Sequence, residues 1–155
     1  MTDYKLEILE AASGFILNRR NEALFQVKDD GYNWRDNLMT LFGGKIEDGE
    51  TSGEAFQREI VEEIGLNLIT NIIYLFEHPL VDQHKHHNVI RTGTIHMHCA
   101  RFEGDPSDVS VKEGAGFAFI SEKNLERFPI VPHNLEAVRK AYQWLKERKI
   151  PGYST

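Results

Sequence analysis

The sequence predicts an α/β sandwich, a central mixed β-sheet covered by helices on both faces, built as a single domain over residues 1–155. Three observations carry this. Runs rich in β-branched and aromatic residues at 11–18, 23–28, 38–42, 68–76, 89–102 and 116–120 read as five or six strands. Two segments, 52–64 and the stretch from Asn134 onward, carry the spacing of amphipathic helices. Strands and helices alternate unevenly, which favours a mixed sheet over a wholly parallel one. A chain of 155 residues buries a core large enough to fold without a disulfide or a metal staple.

Taken in order, 11–18 and 23–28 form a hairpin whose turn is the polar stretch around Asn18–Glu22. Residues 29–37, DDGYNWRDN, read as a loop from their Asp, Gly and Asn content. A short buried strand over 38–42 is expected to break at Gly43-Gly44. Thr51 and Glu54 make a capping box for the helix over 52–64, and Gly65 stands where a left-handed C-cap belongs. Between the strands 68–76 and 89–102, the polar, histidine-rich segment 79–88 reads as a connection, and Gly104–Asp108 as a turn. Asn134 is the expected N-cap of the last helix. There Leu135, Val138, Tyr142 and Leu145 form an apolar stripe, with Trp144 at its flank as a core residue.

Charge and cysteine content exclude several functions. Eighteen basic against 24 acidic residues give a net charge of −6, with no electrostatic footprint for duplex nucleic acid or an anionic membrane. Residues 44–66 hold seven acids and two bases, so the acidity belongs largely to one segment. Cys99, the one cysteine, closes no intrachain disulfide, which fits a reducing compartment, and is expected to be buried as a small apolar residue. The first 15 residues lack a signal-peptide pattern, and the longest uncharged run, 64–76, is too short to span a bilayer. A cytoplasmic protein is expected.

The chemistry concentrates in GKIEDGETSGEAFQREIVEEIGL, residues 44–66. Glu59, Glu62 and Glu63 stand at i, i+3 and i+4, on one side of a helix, beside an apolar stripe of Phe56, Ile60 and Ile64. Like charges so placed repel, and near a helix C-terminus the macrodipole worsens the repulsion. A hard divalent cation, Mg²⁺ or Mn²⁺, reverses both effects. Gly44, Glu50, Arg58-Glu59-Ile60, Glu62-Glu63 and Gly65-Leu66 together resemble the Nudix box without a mismatch. At roughly 6% usage per fixed position, chance agreement is on the order of 10⁻⁷ or below.

The resemblance implies a Nudix-type fold and metal-dependent hydrolysis of a phosphoanhydride in a nucleoside diphosphate linked to another moiety. By similarity Glu59, Glu63 and Glu62 hold the metal with the Gly44 carbonyl, and Arg58 ties Glu50 to the helix. Glu113 stands where MutT-type members carry a further metal-linked glutamate; Glu59, Glu62 and Glu113 are the alternatives for general base. Gly43 and Gly44 let the backbone approach metal and phosphate closely. Lys28, Trp34, Lys45 and Asn134 are candidate substrate contacts, with Arg35, Arg91 and Arg101 as further cations near the site. His96 and His98 share a polar strand face opposite the buried Ile95, Met97 and Cys99, while His84, His86 and His87 read as a solvated loop. The segment 112–137 looks most like MutT-type (d)NTP pyrophosphohydrolases; an NDP-sugar or ADP-ribose hydrolase, or a non-catalytic nucleotide-sensing domain, are the alternatives. The expected partner is a small nucleotide, the expected assembly a monomer or homodimer.

Overall fold

A computed structural model describes residues 3–28, 38–64, 68–84, 88–109 and 116–153. Among the described residues seven strands form one sheet: β1 (Lys5–Leu17), β2 (Ala23–Val27), β3 (Met39–Thr40), β4 (Phe42–Lys45), β5 (Ile69–His84), β6 (Val89–Phe102) and β7 (Gly116–Ile120). Helix α1 (Ser52–Ile64) precedes β5, and α2 (Pro132–Glu147) follows β7. The main path runs β3-β2-β1-β6-β5, with β4 on β1 and β7 on β2. Among the described strands β1 and β6 pair in parallel and the other strand pairs are antiparallel, so the sheet is mixed as expected.

Both faces of the sheet are covered, which is why its central strands are apolar at successive positions rather than at alternate ones. Ala12, Ile16, Leu24 and Phe42 pack against Phe56, Ile60 and Ile64 of α1. On the opposite face Phe15, Phe25, Ile95, Met97 and Cys99 pack against Val138, Ala141, Tyr142 and Leu145 of α2. The Phe15 and Tyr142 rings meet edge to face at 4.6 Å, and the Tyr142 hydroxyl donates to the Asn21 carbonyl at 2.6 Å. Trp144 is half-buried at the edge of this layer, with the Arg148 guanidinium 4.0 Å from its ring centre. The C-terminal tail is held at a β5 bulge, where Tyr153 donates to the Asn71 carbonyl and Asn71 Nδ2 to the Pro151 carbonyl at 3.1 Å.

The capping box forms as the sequence implies: Thr51 Oγ1 accepts the Glu54 N–H at 3.1 Å, and Glu54 Oε1 accepts the Thr51 N–H at 3.2 Å. Three expectations about where elements begin and end need correction. The strand does not break at Gly43-Gly44 but at Leu41, between β3 and β4; β4 runs through both glycines, and the missing Cβ of Gly43 permits close pairing with β1. The polar segment after Pro79 is not a connection up to residue 84 but the second half of β5, since its backbone pairs with β6 through His84↔Val89. The N-cap of α2 is Val131, with Pro132 in the first turn, and Asn134 lies inside the helix with its side chain turned to another task. Gly65, His86 and His87 lie outside the described residues, as does the side chain of His84.

His98 corrects the view of a polar strand face. Its ring is 2% exposed and stacks on Phe56 at 5.3 Å, with Nε2 3.2 Å from Ser52 Oγ, so α1 covers it. His96, beyond the helix, meets Glu10 at 2.6 Å and the Tyr74 hydroxyl at 3.4 Å.

Two stability predictions follow from these contacts. Thr51→Ala removes a reciprocal cap and is expected to cost about 1 kcal/mol in urea unfolding. Burial lowers the His98 pKa below its ordinary value, and burial does the same to His78. The unfolded chain then takes up protons first as pH falls through about 6.5, so stability declines from there until the folded-state pKa is passed. Urea midpoints measured across this interval are expected to fall for the parent protein and to fall less for His98→Gln; an equal slope in both assigns the acid sensitivity elsewhere.

Candidate active site

The site is built where β4 meets α1. A Cβ on Gly44 would overlap the Glu59 carboxylate, and a Cβ on Gly43, at φ +153°, would overlap the Ala12 carbonyl oxygen. The two glycines thus seat β4 between β1 and the acidic helix, a closeness that any other residue would prevent.

Arg58 organises the acids around this junction. Its Nε donates to Glu50 Oε2 at 2.7 Å and its Nη2 to Glu50 Oε1 at 3.0 Å, a bidentate pair. Nη2 also reaches the Lys45 carbonyl at 3.0 Å, while Nη1 donates to Glu59 at 2.9 Å and to Glu62 at 3.4 Å. Glu50 Oε1 accepts the Glu47 N–H at 2.8 Å as well. The Arg58 hydrogen bond, and then that of the Glu47 amide, hold the Glu50 carboxyl below the usual range; Glu50 in turn raises the Arg58 pKa. The expected tie between Arg58 and Glu50 is present, and it extends to β4 and to two of the three helix carboxylates.

Those carboxylates differ in depth. The Glu62 side chain is 58% exposed and that of Glu59 15%, while Glu63 is 8% exposed among the buried residues of α1. Among the described residues no three His, Cys, Asp or Glu side chains converge closely enough to enclose a metal ion. The donor chemistry nevertheless fits a hard divalent cation: carboxylate oxygens on one helix face, one buried, beside a strand backbone brought close by Gly44.

Next to the junction lies a cleft of about 200 Å³ between the sheet and the start of α2. Ala11 and Ser13 of β1, Thr40, Gly43, Gly44 and Lys45, Ile95 of β6, and His133 and Asn134 line it. Lys28, Lys45 and Arg91 bring three cationic side chains to its walls, and Arg91 is held by Glu7 at 3.0 Å. Asn134 Oδ1 accepts the Leu41 N–H at 2.9 Å, so this buried amide fixes α2 against the strand leading into the box. Beside it Thr40 is 8% exposed, and its Oγ1 is buried without a hydrogen-bond partner among the described residues.

The structure therefore brings Lys28, Gly43, Gly44, Lys45 and Asn134 to one cleft and sets Arg58, Glu59, Glu62 and Glu63 on the helix adjoining it. Trp34, Arg35 and Glu113 lie outside the described residues. Arg101 is engaged elsewhere, donating to the carbonyls of Asn18 and Gly152 and to Asn21 Oδ1. Cys99 is buried as expected, and burial pushes its thiol pKa up to about 12. Thr40 was missed by the sequence reading, although its signal was there: it is the one polar residue in the apolar run Leu38–Phe42.

Comparison with known proteins agrees with this architecture. A family model described as the NUDIX domain matches residues 8–144. An 8-oxo-dGTP diphosphatase of Haemophilus influenzae is 32% identical over 76 residues, 47% of this chain and 55% of that protein, so the match spans about half the relative's length. The crystal structure of a MutT protein from Methanosarcina mazei superimposes with a TM-score of 0.65 at 15% identity, covering 96% of this chain and 99% of that one. The dihydroneopterin triphosphate pyrophosphohydrolase of E. coli gives 0.64 at 18% identity, over 89% and 96% of the two chains. With the family match extending over most of its length and an intact box at its centre, the chain belongs to the Nudix family.

Proposed function

We propose that the chain is a divalent-metal-dependent nucleotide pyrophosphohydrolase, acting on a nucleoside triphosphate of the (d)NTP class. The observation that carries this reading is the junction at Gly44, where β4 has an acidic helix on one side and, on the other, a cleft walled by Lys28, Lys45 and Arg91. An acidic centre beside cationic walls suits a polyphosphate delivered with its metal, the phosphate tail meeting the lysines and arginine. The relative named as an 8-oxo-dGTP diphosphatase and the fold shared with a MutT protein support the choice of a triphosphate.

In this reading Glu59, Glu63 and Glu62, with the Gly44 carbonyl, would hold Mg²⁺ or Mn²⁺. When bound, the cation supplies charge neutralisation at the phosphate oxygens and activation of water. Arg58 acts as a positioning residue: by gripping Glu50, the Lys45 carbonyl and Glu59 together, it keeps loop, strand and helix in one geometry. A glutamate takes the proton from water as oxygen attacks phosphorus and the P–O bond to the leaving pyrophosphate breaks, with Glu59, Glu62 and Glu113 as the alternatives for that base. Asn134 and Thr40 supply polar groups in the wall of the cleft, for a base or another polar group of the substrate.

The deciding experiment is a hydrolysis panel with and without Mg²⁺ over (d)NTPs, oxidised guanine nucleotides, a pterin triphosphate, ADP-ribose and NDP-sugars, with products identified. Triphosphates are expected to yield a monophosphate and pyrophosphate. Glu63→Gln is expected to keep its circular dichroism and lose most of the turnover; parental rates with Mg²⁺ would refute the metal assignment.

Thr40→Val removes a buried hydroxyl that has no hydrogen-bond partner among the described residues, so the variant is expected to gain about 1 kcal/mol in urea unfolding. Its KM is expected to rise at unchanged kcat, because the lost contact is one made with bound substrate. A variant less stable than the parent with an unaltered KM removes Thr40 from the site.

A further inference from the structure

Strand β1 extends beyond the body of the sheet. Its first residues pair with β6 from Lys5↔Val89 to Glu10↔Thr94, whereas β4 covers the other edge only from Ala11 onward. Lys5 donates its N–H to the Asn88 carbonyl, so in this parallel ladder Lys5, Glu7 and Leu9 bond toward β6. The Glu10 carbonyl, facing the other way, accepts the Ile46 N–H. The backbone groups of Leu6 and Ile8 therefore face an edge along which no described strand pairs. Their side chains are 61% and 75% exposed, and Tyr4, two residues earlier, is 44% exposed. An open edge with an apolar row is an arrangement that sheets ordinarily avoid or cover.

We propose that a second copy of this chain covers it, the two β1 edges pairing antiparallel about a two-fold axis at Leu6. A two-fold perpendicular to the sheet keeps each face in common, so even residues meet even and odd meet odd. Leu6 then pairs with the partner's Leu6 and Tyr4 with the partner's Ile8, in positions that exchange backbone hydrogen bonds. Between them Lys5 faces the partner's Glu7 in a non-hydrogen-bonded pair, where side chains come closest. Charge selects this register: sliding to the next one, Leu6 against the partner's Ile8, sets Glu7 against the partner's Glu7. Glu7 is already oriented by Arg91 at 3.0 Å and lies 3.8 Å from its own Lys5, so a carboxylate stands ready at the edge.

Size-exclusion chromatography with light scattering on the full chain, over a dilution series, tests the pairing. A dimer that dissociates on dilution is expected. Leu6→Asp with Ile8→Asp is expected to be monomeric with unchanged circular dichroism, since both side chains are exposed in the single chain. Lys5→Glu turns two attractive cross-strand pairs repulsive and is expected to raise the dimer Kd on the order of tenfold. Leu6→Cys is expected to crosslink to itself on oxidation, whereas Val81→Cys, exposed two strands away, is not; Cys99 is buried and contributes no background. A monomer at every concentration, a dimer indifferent to the Leu6 and Ile8 changes, or crosslinking through Val81→Cys overturns the proposal. Indifference to Lys5→Glu overturns its register.

Discussion

The grip of Arg58 on Glu50, the Lys45 carbonyl, Glu59 and Glu62 is the interaction on which the candidate site depends. One guanidinium joins the loop after β4, the strand itself and the helix that follows. Without a cation at that point, several carboxylates would face one another across a short loop. With it, the acids are held apart in defined directions, and the fixed fork of arginine is suited to this as lysine is not. Glu50 is the best-anchored of these acids, accepting a backbone N–H in addition to both arms of the fork.

The glycines of β4 make the same arrangement sterically possible. Gly44 admits the Glu59 carboxylate and Gly43 admits the β1 backbone, so strand and helix approach within a distance closed to other residues. This junction is also a wall of the cleft that Asn134 and Thr40 line as well. Acid helix and cationic cleft are therefore two sides of one strand. Stabilising features elsewhere serve that placement: the Thr51–Glu54 cap starts α1 at the end of the loop, and His98 stacks under Phe56 to seat it on the sheet.

Much of the fold was legible in the chain because helix signals are local. The capping box and the Phe56, Ile60, Ile64 stripe locate α1, and the Val138, Tyr142, Leu145 spacing locates α2. Strand ends were less legible, because pairing rather than composition decides them. The polar residues after Pro79 look like a connection until β6 supplies the backbone partners that make them a strand. Asn134 looks like a cap because asparagine caps helices; the Leu41 N–H, 93 positions away in sequence, claims its oxygen instead.

The sequence by itself determined the family, the acidic helix and the Arg58–Glu50 tie, since each is written in residues a few positions apart whose spacing has one helical meaning. Tertiary structure alone decided which acids are buried and which cations reach the cleft. Glu62 and Glu63 are neighbours on α1 with the same chemistry, yet one is exposed and the other buried, because burial depends on what the rest of the fold brings opposite. Arg91 reaches the cleft and Arg101 serves the tail, a difference of ten positions along one strand that no local pattern distinguishes. The hydroxyl of Thr40 acquires its meaning only when β3, β4 and α2 close around it, because contacts between distant segments, not residue types, define a pocket.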